Sequence, residues 1–207
     1  MRTPSSGRDA AWLVGADLLA VALAFVGQIL LAHALLAEHY GWMVLAIDLY
    51  ASLFLIIDLG LPTLIARDGT RAPELVPLAV WRSYRWQALV AVPFLLLALL
   101  ARPEQWLNVH APAVLLILAG LVALVHVASY APRSALRVLG EARLEAITKV
   151  VERGTTVLLY GVLTWQGLSS AAAFTGAFLV GAMTGWALAL FWVMRIAPPL
   201  QGAVEWD

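Results

Sequence analysis

The chain has no cysteine among its 207 residues, so neither a disulfide framework nor a thiolate metal site can form. Charge is scarce as well. Asp, Glu, Lys and Arg make up 13% of the residues, about half the usual share in a soluble domain. The 13 bases balance the 13 acids, so the basic footprint of a nucleic-acid binder is missing. Lysine occurs once, as Lys149. Instead, 62% of the residues are apolar and the mean hydropathy is +0.86. Such a chain is neither disordered nor a soluble domain; it reads as an all-α, polytopic membrane protein. Its excess of Ala, Leu and Arg fits the codon usage of a GC-rich bacterium.

A bilayer core of about 30 Å needs about 20 apolar helical residues. Six stretches qualify, over 11–36, 42–65, 81–101, 112–130, 146–165 and 171–194, and they define a single six-helix domain over 1–207. The tight connections at 37–41 and 166–170 make helices one and two, and five and six, antiparallel neighbours. The longest polar stretch, 67–74, is a loop. Every Lys and Arg except Arg102 falls in the N-terminus, in the second and fourth connections or the first turns of the spans that follow them, or in the C-terminus, which places both termini in the cytoplasm. Tyr40, Trp42, Trp106 and Trp165 would mark the outer boundary, and Trp12, Trp81 and Trp192 belong to the inner one. A competing reading takes 18–32, followed by Ala32-His33-Ala34, as a signal peptide; the length of the run and Asp17 within it weigh against that.

Ionisable residues inside a span are costly and usually face a bundle interior or a wet cavity. Asp17 lies early in the first span. Asp48 and Asp58 lie in the second, with Asp58 about 10 Å from its inner end. Asp17 and Asp58 therefore fall at similar depth, and Gln28 sits mid-membrane. In Asp58-Leu59-Gly60-Leu61-Pro62 the proline lacks an N–H, so the Asp58 carbonyl loses its helical partner. Two readings follow: a helix break lining a polar cavity, or a kink repaired by neighbouring side chains.

Between 133 and 153, charged residues recur every four positions: Arg133, Arg137, Glu141, Glu145, Lys149 and Arg153, with Glu152 alongside. One reading is a solvated cytoplasmic helical hairpin bent at Gly140 and laced with i,i+4 ion pairs. The other sends Lys149 and Arg153 into the membrane to pair with Asp17 or Asp58, or to hold lipid phosphate. Gly181 and Gly185 form a close-packing pattern on the sixth helix. His126 reads as a core histidine, because no second ligand stands at helical spacing, and His33 and His39 make a poor metal pair. Asp68-Gly69 is similar to the start of the CDP-alcohol phosphotransferase signature, but the aspartates that must follow it are missing. No phosphate loop, Gly-x-Ser-x-Gly or His-Glu-x-x-His occurs. The expectation is a protein that is not an enzyme and holds no metal or cofactor.

Gly27-Gln28-Ile29-Leu30-Leu31-Ala32, then Glu38-His39-Tyr40-Gly41, then Ile57-Asp58-Leu59-Gly60-Leu61-Pro62-Thr63-Leu64-Ile65-Ala66-Arg67 resembles the opening of the polysaccharide-type flippases. These are lipid-linked oligosaccharide exporters of the multidrug/oligosaccharidyl-lipid/polysaccharide superfamily. The 133–153 segment is similar to their fourth-to-fifth helix connection. The resemblance implies one lobe of a two-lobed carrier in the bacterial cytoplasmic membrane, with a lipid-linked anionic glycan as substrate. It places substrate binding at Lys149, Arg153 and Gln28, and gating or ion pairing at Asp17, Asp58, Pro62 and Asp48. Members have twelve to fourteen helices and alternating access needs two lobes, so a second lobe would come from homodimerisation or a separately encoded half, or the chain would be a truncated lobe with no transport activity. The alternative is a non-transporting membrane subunit or scaffold of envelope polysaccharide assembly.

Overall fold

A computed structural model describes residues 6–58, 60–100 and 112–198. Arg2, Leu59, Arg102 and Trp106 lie outside the described residues. Those described form α1 (Ser6–Ala34), α2 (Ala37–Asp58), α3 (Leu61–Gly69), a 3-10 turn (Pro73–Leu75), α4 (Val76–Leu100), α5 (Ala113–Val138), α6 (Ala142–Trp165) and α7 (Ala171–Ile196), with no strand among them. Three helical segments are long and apolar enough to cross a membrane: Ala10–Ala34, Ala113–Val138 and Ala171–Ile196. α6 has the length, but it carries Arg143, Glu145, Lys149, Glu152 and Arg153.

The expected second span, 42–65, is two helices. Gly60 adopts a left-handed conformation (φ 69°, ψ 14°) and Pro62 stands in the first turn of α3. Glycine takes positive φ without steric cost, and proline's missing N–H is harmless in a first turn. The chain therefore breaks and restarts rather than kinking, and the Gly60 carbonyl accepts from the N–H of Thr63 at 3.0 Å and of Leu64 at 3.2 Å. α4 starts at Val76 rather than 81. α5 continues to Val138, well past the expected end at 130, and α6 starts at Ala142 rather than 146. The i,i+4 charges extend both helices, because they find partners across the hairpin and need no loop.

Two helix ends close on glycine. At Gly140 (φ 77°) the Glu141 N–H reaches the Leu136 carbonyl at 2.9 Å and the Gly140 N–H reaches Arg137 at 3.1 Å. At Gly167 (φ 70°) Leu168 and Gly167 repeat the pattern with Leu163 and Thr164. Both are Schellman ends, which satisfy the last carbonyls and turn the chain back. The bend expected at Gly140 is where the sequence placed it.

α5 is the hub, packing against α7, α2, α3 and α4, while α6 lies between α1 and α7. Small residues make this possible: Ala119, Ala123, Ala131 and Ala135 of α5 are fully or almost fully buried and let neighbouring backbones approach. One apolar cluster joins Leu31, Met43, Leu115, Tyr160 and Phe174, and another joins Ile65, Val80, Leu136, Ala189 and Val193. α1 and α2 were expected as packed neighbours, but α1 touches α2 little and leans along α6. Its other faces expose Val14, Leu18, Val21 and Phe25, as a lipid-facing helix does.

At Gly60 a Cβ would meet nothing within 4 Å, so only the backbone resists substitution. Gly60→Ala should lower stability by about 1–2 kcal/mol, read as an earlier thermal transition by circular dichroism in detergent; an unchanged transition would mean that the turn does not depend on positive φ.

Candidate functional site

α6 presents Glu145, Thr148, Glu152 and Thr156 at helical spacing, and all four are buried. The threonines bond back to their own helix: Thr148 Oγ1 donates to the Glu145 carbonyl at 2.7 Å and Thr156 Oγ1 to that of Glu152 at 3.0 Å. The two carboxylates need partners from elsewhere, because an unpaired buried charge is prohibitive.

The Glu152 side chain is 3% exposed. Its Oε2 accepts from Arg133 Nη2, and its Oε1 lies 3.1 Å from His126 Nε2. Arg133 and His126 both come from α5, seven residues and about two turns apart, hence on one face. Arg153 Nε stands 3.9 Å from Glu152 Oε1, too far for a hydrogen bond. Its guanidinium also lies over the Phe178 ring at 5.5 Å, and the His126 ring meets the same phenylalanine at 5.3 Å.

α7 supplies the room. A Cβ on Gly185 would stand 2.7 Å from Glu152 Cβ and 2.8 Å from Glu152 Oε2; one on Gly181 would stand 2.9 Å from the Glu152 carbonyl and against Thr156 Oγ1. The small-residue stripe on α7 is thus the wall of the ion-pair pocket.

Two turns toward the start of α6, Glu145 is 1% exposed. Arg137 grips it through two nitrogens, Nη2 to Oε1 at 2.5 Å and Nε to Oε2 at 3.0 Å, the fork geometry that suits a carboxylate. Lys149 Nζ lies 3.5 Å from the same carboxylate and 2.9 Å from Asp17 Oδ1 on α1. The solvated hairpin with ion pairs along one helix is therefore corrected. Glu145–Lys149 keeps i,i+4 spacing, but Glu145 and Glu152 point inward and their strongest partners sit on α5.

Of the residues the sequence singled out, the structure brings together Lys149 and Asp17, and sets Arg153 beside Glu152 and Phe178. It does not bring in the rest. Gln28 lies eleven residues beyond Asp17, about 16 Å along α1, where its Oε1 accepts from the Tyr40 hydroxyl at 2.6 Å. Asp48 is exposed and has no ion pair among the described residues. Asp58 also has none there, and its Oδ1 is buried without a hydrogen bond. The Pro62 carbonyl accepts from Ser134 Oγ at 2.8 Å, which ties α3 to α5. Lys149 therefore pairs with Asp17, not with Asp58. Glu152, Glu145, Arg133 and His126 were missed as a unit. Their only signal was charge on a buried face, and the sequence did not say which face that was.

Gly181→Ala and Gly185→Ala should each cost about 1–3 kcal/mol through overpacking. Gly176→Ala, on the same helix with nothing within 4 Å of a Cβ, should be neutral or stabilise by up to about 1 kcal/mol. Thermal unfolding in one detergent checks all three, and equal behaviour would show that the pocket wall is not tight.

Chemically, the arrangement is a bank of cations from two helices, neutralised by buried carboxylates and by one carboxylate contributed from a peripheral helix. Residues 6–202 match a family model described as a polysaccharide biosynthesis protein. No curated protein and no solved structure matches the chain. Since that match runs through every helix described above, the chain belongs to the polysaccharide biosynthesis protein family, and with its apolar helices it is a multi-pass membrane protein.

Proposed function

We propose that the chain is one lobe of a flippase-like transporter, not an enzyme, that carries a lipid-linked anionic glycan precursor across the bacterial cytoplasmic membrane. Its six spans run with both termini in the cytoplasm, α2 and α3 together forming the second. It works with a second lobe, because rocking between two faces needs two bodies.

The observation that carries this reading is the Lys149–Asp17 contact. Lys149 is mostly buried and Asp17 mostly exposed, with side chains 21% and 59% accessible. An incoming phosphate can take the place of the Asp17 carboxylate on Lys149. The exchange swaps one anion for another, so Lys149 keeps an anionic partner and the desolvation cost stays small. It also frees the inner end of α1 from its ion pair with α6, while the far end stays tied through Leu31 and the Tyr40–Gln28 hydrogen bond. Ligand binding and helix movement are linked in this way. Arg153, held loosely at 3.9 Å from Glu152, supplies a second cation four residues along. Gln28 lies too far up α1 to share that contact.

The scaffold alternative draws on a different observation. Lys149 already has two carboxylates and Glu152 already has Arg133 and His126, so the cluster can be self-contained and purely structural.

The two readings separate in an export complementation assay with immunoblotting for abundance. For a transporter, Lys149→Ala and Arg153→Ala should each lower export about tenfold or more, the effect of losing one charge-assisted contact, at near-normal abundance. Asp17→Asn should retain export, because it removes the competing carboxylate. Unchanged export in both alanine variants would leave the scaffold reading.

A further inference from the structure

Between α1 and α6, beside the Lys149–Asp17 contact, lies a groove of about 590 Å³, within the range of about 300–1,000 Å³ typical of ligand sites. Trp12, Gly15 and Leu19 line one side and Ile147, Val150 and Val151 the other. The spacing is helical on both sides, so the groove runs along the helices for about 12 Å. It stays open at Gly15, where a Cβ would meet nothing within 4 Å. Its lining is apolar and suits hydrocarbon rather than water or an ion.

One end of the groove differs. Arg143, the second residue of α6, is exposed, and its guanidinium lies 5.2 Å from the centre of the Trp12 ring. The nearby cations are spoken for: Arg137 by Glu145, and Lys149 by Asp17 and Glu145. Arg143 has no carboxylate partner among the described residues. An apolar slot capped by an exposed arginine and an indole is complementary to a molecule with a hydrocarbon tail and an anionic head.

We propose that this groove is a binding site for an anionic phospholipid, with one acyl chain along α1 and α6 and the phosphate on Arg143. A bound chain fills the space between the two helices on either side of Asp17 and Lys149 and braces α1 against α6. The site makes no use of the transport reading, since it needs only a membrane and the α1–α6 interface.

Native mass spectrometry of the delipidated full chain in detergent tests it, with phosphatidylglycerol and phosphatidylcholine of matched chains as probes. Phosphatidylglycerol should be retained in preference to phosphatidylcholine. Arg143→Gln should weaken phosphatidylglycerol about fivefold and leave phosphatidylcholine unchanged. Gly15→Leu, whose Cβ meets nothing within 4 Å and whose longer side chain occupies the groove, should remove the retained lipid while Arg143 stays in place. Equal retention of the two lipids, indifference to both substitutions, displacement by inorganic phosphate alone, or a dimer that forms only as the lipid leaves would each overturn the site. Export complementation through Lys149 and Arg153 reads separately, so either proposal can fail without the other.

Discussion

A carboxylate that leaves both water and lipid must be met by protein, and Glu152 is where this fold meets that demand. Within a membrane, apolar contact between helices gains little over contact with lipid, so close packing and polar pairing decide which helices associate. Glu152 recruits Arg133 and His126 from α5 and fits against Gly181 and Gly185 of α7. Three helices are thereby fixed in rotation and height at once. Removing one partner of such a pair costs about 3–5 kcal/mol, because the other charge is stranded. Larger residues at the two glycines would push α7 away and open the pocket.

From that junction the structure loosens outward. Glu145 repeats the device with Arg137 at the start of α6, still between α5 and α6. Lys149 then hands the charge balance on to α1 through Asp17. α1 is otherwise held by apolar contact, mainly with α6, and by the Tyr40–Gln28 hydrogen bond from α2, and presents most of its surface outward. The chain of pairs runs from a junction where every charge is enclosed to a joint where one carboxylate is largely accessible. That joint is the least enclosed of the carboxylate contacts that link α1, α5 and α6.

Much of this was legible in residue order. The apolar runs, the turns at Gly140 and Gly167 and the helical register of the 133–153 charges all follow from local chemistry: hydrophobic length, glycine's positive φ and a period near four. The break after Asp58 was legible in part, since Pro62 announced it. Gly60 decided its form, because a left-handed residue lets α2 end and α3 start afresh. The pairing of Lys149 with Asp17 was one of two partners the residues offered.

What the sequence by itself determined is a set of helices too apolar for water and a short inventory of acids and bases that had to find one another. What only the tertiary structure decided is which ones met. Arg133 and Glu152 stand on different helices, and Gly181 and Gly185 on a third, so no spacing along the chain encodes their contact. Lone acids such as Asp48 and Asp58 looked equally eligible from the string and found no ion-pair partner among the described residues. The physical reason is that periodicity fixes the faces of one helix, whereas the choice of facing helix depends on where small residues permit close approach and on the joint cost of leaving any buried charge alone.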